Sequence, residues 1–169
     1  MKYSALCFVL ISAHFVVTIW TLGRYPALFI DESFFNYPAI RFIEHRGFNY
    51  SVSPDAPHGD TIWAYHGPLF PRLQIITFSI LGISQFTSRL PEYLAAHAAI
   101  LFLCRYFVRR ELPLSAIILA EVWFGDRSAQ EIRLGRMEGI ALLLLALGFA
   151  AFAEALRKRS WQYVVLSMA

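Results

Sequence analysis

The sequence predicts an all-α membrane protein, a polytopic helical bundle, and three observations predict it. Of 169 residues, 57% are hydrophobic and 16% charged, against roughly 45–50% and about 25% in ordinary soluble domains. Mean hydropathy is +0.50, and the apolar residues are gathered in long blocks. The 15 lysines and arginines fall mostly at the ends of those blocks, where they report orientation across a bilayer. Nucleic acid is not needed to explain the net charge of +3, because no basic stripe with interleaved aromatics occurs. Cys7 and Cys104 lie inside apolar stretches with no His or Cys neighbour at metal spacing. They read as packing residues rather than a disulfide or a zinc site, and no metal ligands are assigned.

The first span is residues 4–22, with Lys2 before it. Its apolar run is too long for a signal-peptide core, and Thr21-Leu22-Gly23-Arg24-Tyr25 is a poor cleavage site, so an uncleaved helix with a cytoplasmic N-terminus is expected. Residues 23–66 form an outer loop carrying an interfacial helix. Phe35, Ala39, Phe42 and Ile43 recur at helical spacing opposite Arg41, Glu44 and His45, which predicts an amphipathic helix with Pro38 near its first turn and Gly47 at its end. From 48 to 66 the Ser, Pro, Asp and Gly content is that of a loop, while Tyr50, Trp63 and Tyr65 suit a membrane-interface belt.

Residues 67–87 are apolar but interrupted by Pro68, Pro71 and Arg72, so they are expected to be re-entrant or spanning. Residues 90–108 make a span ending at Arg105, Arg109 and Arg110. A shorter apolar run, 112–125, leads to the polar stretch 126–138. Residues 139–156 make a further span ending at Arg157-Lys158-Arg159, and another apolar run starts at Trp161. That unfinished run makes the chain read as the N-terminal portion of something longer. If 67–87 does not cross, Lys2 and both basic clusters are cytoplasmic, and 23–88 shares the outer face with 126–138. The positive-inside rule favours this arrangement.

Three polar groups could carry chemistry. Asp31-Glu32 places two carboxylates at the membrane surface, although solvation of a helix end or an N-cap would also account for them. His66-Gly67-Pro68-Leu69 turns the chain into the membrane beside an imidazole able to bond a phosphate or orient a carboxylate; an ordinary interfacial loop histidine is the alternative. Arg133 and Arg136, three apart, would share a helix face and suit a phosphodiester, with headgroup snorkelling as the simpler account. Glu138 complements the dipole at the start of the last full span.

In this order, with Arg89-Leu90-Pro91 between the second and third groups, the elements resemble the N-terminal module of GT-C membrane glycosyltransferases. The nearest branch is that of protein mannosyltransferases and the aminoarabinose transferase of lipid A. The resemblance runs from about residue 4 to the end of the chain and implies a GT-C transmembrane bundle in a bacterial inner membrane, crossing it several times. Asp31 and Glu32 would be catalytic, and His66, Arg133, Arg136 and Glu138 would bind substrate. Glu138 stands where the family more often has Asp. The implied reaction moves a sugar from a polyprenyl-phosphate donor to a lipid, glycan or protein acceptor at the outer face. A divalent metal ion is a possible cofactor, with Asp31, Glu32 and Glu138 as hard oxygen ligands. The competing expectations are a non-catalytic membrane scaffold or truncated remnant of such an enzyme, and a transporter subunit marked by Arg72, His97 and Glu121.

Overall fold

A computed structural model describes residues 2–25, 27, 30–45, 69–112, 116, 119, 133, 134 and 137–158. The predicted loop 48–66, most of the run 112–125, the run from 161, His66, Arg136 and Glu121 lie outside the described residues. So does the side chain of Asp31. Among the described residues there are five helices and no strand: α1 (Lys2–Ile19), α2 (Ile30–Ile43), α3 (Leu69–Leu81), α4 (Gln85–Arg109) and α5 (Glu138–Lys158).

The spine is α4. Ser84 caps it, its hydroxyl accepting from the Thr87 N–H at 3.2 Å while Thr87 Oγ1 accepts from the Ser84 N–H at 2.9 Å. This reciprocal box satisfies two donors that a helix start leaves orphaned. Just before it, Gly82 adopts φ 79° and ends α3, a conformation that costs a residue with a Cβ about 1–2 kcal/mol. Arg89, Glu92, Tyr93, Ala96, His97, Ile100 and Cys104 are buried along α4. Their three- and four-residue spacing makes one continuous stripe, polar near the start of the helix and apolar towards its end.

α1 runs antiparallel to this stripe. Thr18 meets Tyr93, His14 Nδ1 lies 3.3 Å from His97 Nε2, and Cys7 and Ile11 join Ile100 and Cys104 in the apolar cluster. α5 runs parallel to α4, with Gly139 against Glu92, Phe149 against Tyr106 and Phe107, and Glu154 paired with Arg110. A Cβ on Gly139 would fall 2.5 Å from the Glu92 carbonyl oxygen and 2.8 Å from the Ala96 Cβ, so glycine is what lets the two helices close. As a result, the end of α1 and the starts of α4 and α5 lie together. Lys2, Arg105, Arg109, Arg110, Arg157 and Lys158 gather at the opposite end.

α2 and α3 pack on each other beside the start of α4. Phe35 meets Phe70 edge-on at 6.2 Å, and Gln74 Nε2 donates to Asn36 and, at 3.2 Å, to the Ser88 carbonyl. With 13 residues, α3 is about 20 Å long at ~1.5 Å per residue, less than the ~30 Å hydrocarbon core of a bilayer.

Three expectations are corrected. α2 begins at Ile30, so Asp31 and Glu32 occupy its first turn rather than the loop before it, and Pro38 lies inside the helix. The apolar spacing alone could not reveal that start, because residues 31–33 are polar while acids there complement the helix dipole. The buried face is Glu32, Asn36 and Ala39, whereas Phe42 is half exposed. Arg133 sits in a turn rather than on a helix, with Leu134 in a bend, and Arg136 lies outside the described residues.

Among the described helices α5 is both long and apolar enough to cross a membrane; α1 and α3 are apolar but shorter. α4 has the length, with 25 residues, but carries Arg89, Glu92, Arg105 and Arg109. The polarity of the bundle is inverted. Trp20 is 88% exposed and Leu145 70%, while Arg89 and Glu92 are 0% exposed.

Candidate functional site

The site end is organised by Arg89. Its Nε donates to Glu32 Oε2 at 2.8 Å and its Nη2 to Glu32 Oε1 at 2.6 Å, a two-pronged contact that matches the planar guanidinium fork. Neither side chain has exposed surface. Other contacts reach backbone: Nη1 donates to the Leu22 carbonyl at 2.9 Å and Nη2 to the Ala27 carbonyl at 3.4 Å. With its amide turned to suit both neighbours, Gln85 donates to the Gly23 carbonyl at 3.0 Å and accepts from Arg89 Nη2 at 2.7 Å. One side chain thereby ties the end of α1, the following linker and the first turn of α2 to the start of α4. Asp31, next to Glu32 in that turn, is held at the same end.

Arg133 grips the same turn from the other side. Its Nη2 donates to Thr21 Oγ1 at 2.6 Å, and its guanidinium lies over the Tyr25 ring at 5.1 Å. It is 6% exposed, and its Nε finds no hydrogen-bond partner among the described residues. Burial pushes its pKa down from the usual arginine value; Tyr93 opposes this, the charge of Arg89 adds to the lowering, and Tyr25 opposes it least. An arginine nevertheless keeps its proton, so a second cation sits near Arg89 with donor capacity to spare. Thr21 and Leu22 are adjacent, so the two guanidiniums hold neighbouring residues of a single turn.

No family model, curated protein or solved structure matches this chain.

The structure brings Glu32 and Arg133 to one end of the bundle, although 100 residues separate them in sequence (133 − 32 = 101). Glu32 was expected to share in catalysis. Here both of its oxygens are engaged by Arg89 and its side chain is buried, which suits holding α2 in place better than accepting a proton. Glu138 is exposed, and its carboxylate accepts from the Met137 N–H at 3.0 Å, capping the start of α5. Among the described residues no three His, Cys, Asp or Glu side chains gather as a metal-binding group.

Sequence reasoning did not foresee the role of Arg89 or Glu92. Glu92 Oε1 accepts from the Gly139 N–H and so ties α5 to α4. A signal was available: ionisable residues three apart in a long, largely apolar helix point inward. Of the residues suggested for a transporter, Arg72 is exposed on α3. His97 is buried, and its Nδ1 lies 2.9 Å from the Tyr93 carbonyl, which makes Nδ1 the protonated nitrogen. His97 Nε2 is then the acceptor, and His14 Nδ1–H donates to it. The imidazole pair is a clasp between α1 and α4.

Proposed function

We propose that the chain is a polytopic membrane protein of GT-C type that takes part in transfer of a sugar from a polyprenyl-phosphate donor to an acceptor at the outer membrane face. The observation that carries this reading is the common end shared by the first turn of α2 and Arg133, fixed by the Glu32–Arg89 pair. Apolar side chains on the outer faces of α1 and α5 and polar ones inside suit a lipid surround. Lys2 and the two basic clusters lie at the opposite end, as the positive-inside rule asks of a cytoplasmic face.

In the proposed inverting reaction the acceptor hydroxyl or amine attacks the anomeric carbon. Asp31 takes the acceptor's proton as general base, the bond from the anomeric carbon to the phosphate oxygen breaks, and the lipid phosphate leaves with the electron pair. Arg133, charged and with an uncommitted Nε–H, stabilises the departing phosphate; Arg136 and His66 are assigned to the same phosphate on the strength of the resemblance. Glu32 is a positioning residue that acts through Arg89. If a divalent ion takes part, Asp31 and Glu138 are the carboxylates assigned to hold it, and the ion would help neutralise the leaving phosphate.

The test is transfer in membrane vesicles supplied with polyprenyl-phosphate mannose or aminoarabinose. Asp31→Asn should lower transfer by about 10²–10⁴-fold, the usual contribution of a general base, with membrane insertion unchanged. Transfer at the parental rate in that variant would leave the non-catalytic scaffold as the surviving account.

A further inference from the structure

The basic end of the bundle holds a cavity that the proposed chemistry does not use. It lies between the first half of α1 and the second half of α4, lined by Cys7, Phe8, Ile11, Leu101, Cys104 and Arg105, among others, with a volume of about 210 Å³. An apolar cavity of roughly 150 Å³ already suffices to bind a molecule the size of benzene. The floor is closed by the packed core: Cys7, Ile11 and Cys104 are buried, and the Cys104 thiol points at the Ala116 carbonyl at 3.7 Å. The mouth carries Phe8, which is 61% exposed, and Arg105, which is also exposed.

Arg105 differs from its basic neighbours. Arg110, Arg157 and Lys158 all converge on the carboxylate of Glu154. Arg105 and Arg109 have no acidic partner among the described residues. Four residues before the last one of α4, Arg105 lies about 6 Å inside the helix end at ~1.5 Å per residue. That depth suits a guanidinium reaching from apolar surroundings to a headgroup region. The cavity thus combines an apolar slot with a cation at its mouth that no carboxylate among the described residues neutralises.

We propose that this crevice binds one anionic phospholipid of the cytoplasmic leaflet, its acyl chain in the slot and its phosphate on Arg105. The charge at the mouth argues for this occupant: a second copy of the chain would have to bring an acid to Arg105, whereas the cytoplasmic leaflet presents anionic headgroups at that depth. A guanidinium binds a phosphate through two parallel N–H donors, so the site would select charge and not only chain length. The inference rests on the membrane placement proposed above but not on sugar transfer.

Cys7 and Cys104 supply the probe, since both are free and both line the cavity. The full chain is reconstituted in nanodiscs of phosphatidylcholine alone or of phosphatidylcholine with phosphatidylglycerol. Their rates of alkylation by N-ethylmaleimide are followed by mass, with native mass spectrometry to count retained lipids. Phosphatidylglycerol should slow alkylation by about fivefold, the shift that one cation near an anionic surface supplies, and one molecule should stay bound. Arg105→Gln should abolish both effects. Leu101→Trp, which fills the slot, should remove the retained lipid while leaving the thiols covered. Equal alkylation rates in the two nanodiscs would overturn the proposal, as would protection that survives Arg105→Gln. Protection that grows with protein concentration would identify a second copy as the occupant and overturn it too. Extraction of the chain from vesicles by alkaline carbonate would instead overturn the membrane placement itself.

Discussion

Replacing Glu32 by Gln tests the architecture at its most constrained point. Arg89 and Glu32 have no exposed surface, so neither solvent nor salt can compensate a missing partner. In the variant one amide oxygen still accepts from the guanidinium, but the other prong meets an NH₂ group, and the positive charge is left without its counter-charge. Breaking a buried pair from one side costs about 3–5 kcal/mol. That is a fall of about two to nearly four orders of magnitude in the ratio of folded to unfolded protein, at 1.36 kcal/mol per decade. Part of the loss will appear in the backbone, because Arg89 also holds the Leu22 and Ala27 carbonyls at 2.9 and 3.4 Å. The assay is reversible denaturant unfolding of the purified chain in detergent micelles, followed by far-UV circular dichroism. Glu32→Leu with Arg89→Leu removes both charges together and should cost less than the two single changes summed, with a coupling energy above about 1 kcal/mol in the double-mutant cycle. A Glu32→Gln variant within about 1 kcal/mol of the parent would refute a buried ion pair at this site. So would a strong dependence of the pair on ionic strength, which belongs to exposed charges.

Other consequences can be checked directly. Gly139→Ala should destabilise by about 1–3 kcal/mol through overpacking against Glu92 and Ala96. Gly82→Ala, where nothing lies within 4 Å of the added Cβ, should cost only about 1–2 kcal/mol through its positive φ; both are read from the same unfolding curves. Single cysteines in place of the exposed Arg24 and Arg109, in a chain with Cys7 and Cys104 changed to Ala, should label from opposite membrane faces with an impermeant thiol reagent. Labelling of both from one face would contradict the proposed topology. Arg133→Lys keeps the charge but loses the planar contact with Tyr25 and the fork of donors. It should raise the KM for the lipid-phosphate donor by about tenfold while leaving the unfolding midpoint within a few degrees of the parent. An unchanged KM would remove Arg133 from the donor site.

Local signals were legible in the chain, and pairings across it were not. The apolar blocks 90–108 and 139–156 anticipate α4 and α5 because helices of that length announce themselves through continuous hydrophobicity. The interruption of 67–87 by Pro68, Pro71 and Arg72 leaves both a re-entrant and a spanning helix open, and the helix described there, α3, is 13 residues long. By contrast, the contact between Glu32 and Arg89 joins residues 57 apart, and no periodicity says which acid will meet which base. The same blindness explains the start of α2. An acidic pair at the end of an apolar block resembles a loop until the arginine that draws one acid into the core is known.

The composition of α4 makes the general point. Averaged over all its faces, a helix with three arginines and a glutamate fails as a membrane span, and here Glu138–Lys158 passes where Gln85–Arg109 does not. Yet Arg89 and Glu92 do not face outward. They are buried, one against Glu32 and the other against the Gly139 N–H, while Leu94, on the outer side of the same helix, is exposed. An average over composition charges the helix for desolvating groups that its neighbours already satisfy. With those two residues counted as interior, the exposed positions of α4 are Leu94 and Ala98 midway along it and Arg105 and Arg109 towards its end. The polar stripe then becomes the axis that draws the end of α1, the first turn of α2 and Arg133 to one end of the bundle. If the chain lies in a bilayer, the residues that make α4 look least like a span are the ones that assemble the site.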